Sequence, residues 1–158
     1  MKKLVVVGIS DQQIAAPPDI LITYALGSCV GICIYDFSRR MGGLSHILLP
    51  EAFANFNKKD VYKFANTAIA ALVSAMERKG CLRAHMTAKI AGGANMFTSL
   101  KGINIGERNV KTVKEQLQKL KIRIVAEDTG ANYGRTVEFD PENGMVTVKT
   151  AERGQKIL

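Results

Sequence analysis

The sequence has no tryptophan, three cysteines, two histidines and four prolines in 158 residues, and each scarcity removes a class of protein. Cys29, Cys33 and Cys81 make an odd number, so they do not close into a disulfide framework. A structural zinc site draws its ligands as two close pairs, yet the only close pair here is Cys29 with Cys33, and His46 and His85 are far apart. On a strand the two thiols would stand about 13 Å from one another, too far for one ion. The expectation is therefore no metal and no cofactor. No run of basic residues exceeds two, and the sparse aromatics are not interleaved with lysine or arginine, so a base-stacking platform for nucleic acid is missing. The longest charge-free stretch, Ile20 to Tyr35, is broken by Thr23, Gly27, Ser28 and Gly31 and falls short of the roughly 20 apolar residues of a spanning helix. The apolar run Leu4 to Ile9 behind Lys2-Lys3 is too short for a signal peptide and reads as a strand. With no export signal and no membrane insertion, the chain is assigned to the cytoplasm with its thiols reduced.

What remains is ordinary for a globular chain: 47% hydrophobic and 23% charged residues, a length that suits one domain over residues 1–158, and a formal net charge of +8. That charge favours an anionic partner, and an acidic protein surface serves as well as a nucleic acid. Strands are expected at Lys3–Ile9, Ile20–Ala25, Val30–Asp36, Leu44–Leu49, Met86–Ala91, Arg123–Asp128, Thr136–Phe139 and Met145–Thr150, with a turn over Arg39–Gly43. Apolar residues at helical spacing predict one helix from an Asp60 cap to Lys79, stopped by Gly80, and a second from Gly106 to Lys121. Eight strands and two helices without strict βαβ alternation give an α+β fold with mixed sheets.

The stretch Thr23-Tyr24-Ala25-Leu26-Gly27-Ser28-Cys29 carries the first candidate chemistry. Cys29 stands just after a strand behind Gly27-Ser28, where a sharp turn at Gly27 would project the thiol and leave backbone N–H groups free for an oxyanion. Cys33 lies deeper in an apolar run and packs as a small hydrophobe. A nucleophilic thiol needs a base. His46 sits in an apolar strand that an antiparallel pairing with Val30–Asp36 would bring beside Cys29, whereas His85 looks like an edge residue. A histidine within a strand is more often structural, so from the residues alone both readings of His46 stand, the structural one ahead. The Gly92-Gly93-Ala94-Asn95 loop lacks the spacing of a nucleotide-binding motif and reads as a turn.

Five stretches together are similar to a known family: residues 23–30 (TYALGSCV), 43–50 (GLSHILLP), 89–97 (KIAGGANMF), 105–109 (IGERN) and 128–135 (DTGANYGR). They resemble the CheD chemoreceptor glutamine deamidases over nearly the whole chain, with Ala131 departing from an expected glycine. The resemblance implies Cys29 as nucleophile, His46 as base and acid, and Thr23 as third member of the site, with Gly27 and Ser28 supporting the oxyanion turn. It implies helices packed on a mixed β-sandwich in three layers, similar to the cytotoxic-necrotizing-factor-type cysteine deamidases. The implied substrates are glutamines on chemoreceptor cytoplasmic helical domains, with glutamyl methyl esters as a second substrate. The implied second partner is the CheC phosphatase, and Asn95 and Phe97 are assigned to substrate or partner contact. The competing reading is a non-catalytic adaptor for receptor or phosphatase, with a basic nucleic-acid-binding module third.

Overall fold

The computed structural model describes residues 1–96 and 104–158. Ten strands and two α-helices occur among them: β1 (Leu4–Val6), β2 (Asp11–Ala15), β3 (Ile20–Leu26), β4 (Val30–Asp36), β5 (Met41–Ile47), α1 (Ala65–Arg78), β6 (Met86–Gly92), α2 (Ile105–Lys119), β7 (Arg123–Thr129), β8 (Arg135–Asp140), β9 (Met145–Thr150) and β10 (Gly154–Ile157). They form two five-stranded sheets, in the orders β1-β3-β8-β9-β10 and β2-β5-β4-β6-β7. Each sheet is mixed: β1 pairs with β3, and β6 with β7, in parallel, while the other pairings are antiparallel. This is the α+β class that uneven interleaving of strands and helices predicts.

The alternation of β4 explains the layering. Val30, Ile32 and Ile34 join a core with Ala68, Ile69, Leu72 and Met76 of α1 and Val113 and Leu117 of α2. Cys29 and Cys33 join a second core with Leu21 and Leu26 of β3, Leu44 of β5, and Val137 and Phe139 of β8. One face of the second sheet thus packs on the helices and its other face on the first sheet, which is why β4 is apolar at consecutive positions rather than alternate ones. Each fully buried aliphatic side chain in these cores contributes about 1.5–3 kcal/mol relative to exposure.

Two local expectations are corrected. Asp60 does not cap α1: it ends a short 3-10 turn, Lys58–Asp60, and α1 starts behind Phe64 without a side-chain cap. Met41–Gly43 belong to β5 rather than to a turn, because small residues there admit bulky neighbours. A Cβ on Gly42 would lie 2.7 Å from the Phe139 ring of the opposing sheet, so the glycine lets the two sheets approach. β2 and β10 escape pattern reading because β2 is polar (DQQIA) and all four residues of β10 are exposed. The second helix is capped by Asn104, whose side chain accepts from the Glu107 N–H at 3.0 Å. Gly42→Ala should lower stability by about 1–3 kcal/mol through overpacking against Phe139; urea unfolding with an unchanged midpoint would contradict this packing.

Candidate active site

β3 carries Thr23 into the space between the sheets, and a bulge redirects the chain immediately beyond it. Thr23 is opposite Val137 and Leu26 is opposite Arg135, so Tyr24 and Ala25 together face the single residue Thr136. Leu21, Thr23 and Leu26 are buried while Tyr24 and Ala25 are exposed. The extra residue flips the parity of the strand, so that Leu26 points inward and the chain turns toward β4. The left-handed position of this turn is Ala25 (φ 58), rather than Gly27. Gly27 is instead limited by space: a Cβ there would lie 3.2 Å from Met96 Cγ.

The Thr23 hydroxyl donates to the Val7 carbonyl at 2.7 Å and lies 2.7 Å from His46 Nδ1. A hydroxyl has one proton, and a carbonyl accepts without donating. Because that proton goes to Val7, the hydrogen on the second contact must come from the imidazole. His46 therefore carries its proton on Nδ1, donates to Thr23, and keeps a lone pair on Nε2. His46 is fully buried and Nε2 has no hydrogen-bond partner among the described residues. Desolvation by burial pulls the imidazole pKa down to about 4, so it is neutral at pH 7.

In the β4–β5 pairing His46 is directly opposite Gly31. Cys29, two positions before Gly31 and in the same inter-sheet core, is the diagonal neighbour of His46. Such diagonal Cβ atoms stand about 7 Å apart, within reach of an aromatic ring. Cys29 is buried, at 6% exposure, and burial pushes its thiol pKa up, partly offset by its own backbone N–H. The turn around it is held through its carbonyls. Gly27, Ser28 and Cys29 accept respectively from the Ala94 N–H at 2.9 Å, Asn109 Nδ2 at 2.9 Å and the Gly93 N–H at 2.8 Å. Among the described residues no backbone carbonyl takes the N–H of Ser28 or Cys29, which leaves both as candidate oxyanion donors. Gly92 permits the close approach on which this depends: it has φ +110, and a Cβ would lie 2.2 Å from the Cys29 oxygen. Neither Cys33, pushed up to about 12 by complete burial, nor Cys81, pushed up to about 11, has such surroundings.

Comparison with known proteins sets this geometry in a family. A family model described as CheD, chemotactic sensory transduction, matches residues 48–150. A Moorella thermoacetica protein named "Probable chemoreceptor glutamine deamidase CheD" is 49% identical, over 96% of this chain and 93% of its own. Proteins of the same name from Syntrophomonas wolfei and Caldanaerobacter subterraneus are 45% and 46% identical, covering 100% and 99% of this chain and 100% and 98% of their own. The chain belongs to the CheD family. A solved structure, the Bacillus licheniformis hypothetical protein YfiH, overlays on 77% of this CheD-family chain and 51% of its own length with a TM-score of 0.46 at 13% identity, which carries no argument.

Thr23, Cys29 and His46 precede the segment that the CheD model matches, so their grouping rests on the geometry just described. Among the described residues no three His, Cys, Asp or Glu side chains are grouped to hold a metal ion. Asn95 donates its backbone N–H to the Ala131 carbonyl at 2.9 Å, next to Ala94, which holds the Gly27 carbonyl. Phe97 lies outside the described residues. Sequence reading missed two residues of this grouping. Val7, at the end of the first strand region, commits the Thr23 proton through its carbonyl, and a carbonyl leaves no sequence signal. Asn109 of α2 bridges the carbonyls of Ser28 (2.9 Å) and Leu48 (3.1 Å), joining the Gly27–Cys29 turn to the segment after β5. Its signal was a polar residue on the apolar stripe beside Val110 and Val113.

Because thiol and imidazole both rest neutral, the rate of Cys29 alkylation by iodoacetamide should keep climbing past the ordinary thiol pKa of about 8.5. Cys29 should react ahead of Cys33. An inflection below pH 6, the mark of a resting thiolate–imidazolium pair, would contradict this electrostatic account.

Proposed function

We propose that the chain is a protein-glutamine deamidase of chemoreceptors, acting through a Cys29 thioester with His46 as base and acid and Thr23 as the residue that orients it. The observation that carries this reading is the free Nε2 lone pair of His46 held diagonal to Cys29 beside two backbone N–H groups that no carbonyl takes. The relatives' name, chemoreceptor glutamine deamidase, supplies the substrate class.

Nε2 takes the Cys29 proton as the sulfur attacks the carboxamide carbon of a glutamine, forming the C–S bond and a tetrahedral oxyanion. The N–H groups of Ser28 and Cys29 hold that oxyanion. The imidazolium then gives its proton to the departing nitrogen, ammonia leaves, and a glutamyl thioester remains. Water, deprotonated by Nε2, attacks the thioester; glutamate is released and the thiol regains its proton. A glutamyl methyl ester passes through the same thioester with methanol as leaving group. The hydroxyl of Thr23 bears no charge to steady the imidazolium, unlike the carboxylate of other triads.

The reading treats residues 1–158 as one deamidase domain, three-layered in the manner of the cytotoxic-necrotizing-factor-type enzymes and working in the cytoplasm on receptor helices. The layering is supported by the two cores on either side of the second sheet, and the location by the receptor substrate and by the lack, among the described residues, of a helix able to cross a membrane. A CheC phosphatase as second partner, meeting the chain near Asn95 and Phe97, rests on the family resemblance alone. The formal charge of +8 suits docking on acidic receptor helices.

Incubation with a receptor cytoplasmic fragment, followed by peptide mass spectrometry, should show glutamine converted to glutamate. Cys29→Ala should abolish conversion, and Thr23→Val should lower kcat by roughly 10²-fold while Thr23→Ser retains most of it. No conversion by the unaltered protein would favour an adaptor instead.

A further inference from the structure

Beside the nucleophile turn lies a second feature that the deamidation steps leave unused. Ala25, four residues before Cys29, lines a cleft of about 540 Å³ together with Tyr133, Arg135, Lys149, Glu152 and Arg153. Three cations and one carboxylate line it, and their commitments differ. Lys149 is paired with Glu138 at 3.0 Å. Arg135 is 2% exposed, faces Asp128 through Nε across a long 3.4 Å, and gives Nη1 to the Gly130 carbonyl at 2.9 Å. Its Nη2 is buried without a partner among the described residues. Arg153 has no carboxylate within ion-pair distance among them. The Tyr133 ring lies within cation–π distance of both guanidiniums, 4.5 Å from Arg135 Cζ and 4.8 Å from Arg153 Cζ.

A buried guanidinium with an unfilled N–H, next to a second guanidinium lacking a counter-ion, matches a planar anion that can take paired donors. Resting on the proposed deamidation of receptor helices, we propose that this cleft is a carboxylate subsite that seats a Glu or Asp side chain of the substrate helix near the target glutamine. Register places it there: Arg135 is opposite Leu26 in the sheet, and the chain runs from Leu26 straight into the Gly27–Cys29 turn. Arg153 is the first donor to the incoming carboxylate. The Tyr133 ring stacks near both cations, and the unfilled Nη2 of Arg135 is the second donor. Residues three or four apart on a helix share one face, so an acidic residue one or two turns from the glutamine can enter the cleft while the carboxamide meets Cys29. The subsite would thereby select which receptor glutamines are modified.

The test uses helical peptides with one central glutamine and either Glu or Lys one or two turns away, assayed with the full chain and with Arg153→Glu. Ammonia release should favour the Glu peptides about tenfold or more in kcat/KM, and Arg153→Glu should erase or invert that preference. The alkylation rate of Cys29 should be unchanged in the variant, which separates recognition from a disturbed nucleophile. Fluorescently labelled forms of the same peptides give affinities that need no turnover. Equal binding and equal turnover of Glu and Lys peptides, or a preference that survives Arg153→Glu, would overturn the subsite. A charge preference in binding that depends on Arg153, with no ammonia from any peptide, would instead support the subsite and overturn the deamidase reading.

Discussion

The hydroxyl of Thr23 has a single proton, and the Val7 carbonyl 2.7 Å away takes it. Everything chemically distinctive about the site depends on that commitment. With the proton spent, the hydroxyl meets His46 Nδ1 only as an acceptor, and the imidazole is fixed in the tautomer whose Nε2 is a base. In many triads a carboxylate orients the histidine and also stabilises its charged form. Here a neutral hydroxyl, itself oriented by main chain, performs the first task without the second.

The fold supplies the conditions under which so modest a contact suffices. Thr23 and His46 belong to different sheets and meet in the core between them, where both are fully buried. Water does not compete there for Nδ1 or for the hydroxyl, and a neutral hydrogen bond worth about 1 kcal/mol net can select one tautomer. The same burial lowers the imidazole pKa and raises that of the thiol. The resting pair is thus uncharged. The bulge at Tyr24 and Ala25 connects these elements, because it ends the Thr23 strand and delivers Cys29 to the head of β4.

Much of this was legible in the sequence and some was not, for separable reasons. Val30–Asp36 shows its bounds because burial on both faces keeps the strand almost wholly apolar until Asp36. The antiparallel neighbourhood of Cys29 and His46 follows from two apolar strands joined by a short connection. The distinction between Cys29 and Cys33 follows from position relative to Gly27-Ser28, although the left-handed residue of that turn is Ala25. Thr23 came from family resemblance, since a threonine in a strand carries no mark of its task. Val7 acts through its main-chain carbonyl, which every residue possesses, so nothing in its side chain announces the contact, whereas Asn109 shows only as a polar residue on an apolar helix stripe. β10 was invisible because exposed strands need no apolar alternation. The polar loop at 128–134 read as a connector, and its link to a buried Arg135 emerges only when β8 is paired with β3.

The tautomer of His46 is the quantity on which this account stands, and it can be observed directly. A long-range proton–nitrogen correlation spectrum of the histidine-labelled protein at pH 7, assigned by comparison with His85→Gln, reads the protonation of each ring nitrogen. The account predicts a neutral His46 with a protonated Nδ1 and a bare, pyridine-like Nε2. A proton on Nε2 with Nδ1 bare, or both nitrogens protonated, would contradict it.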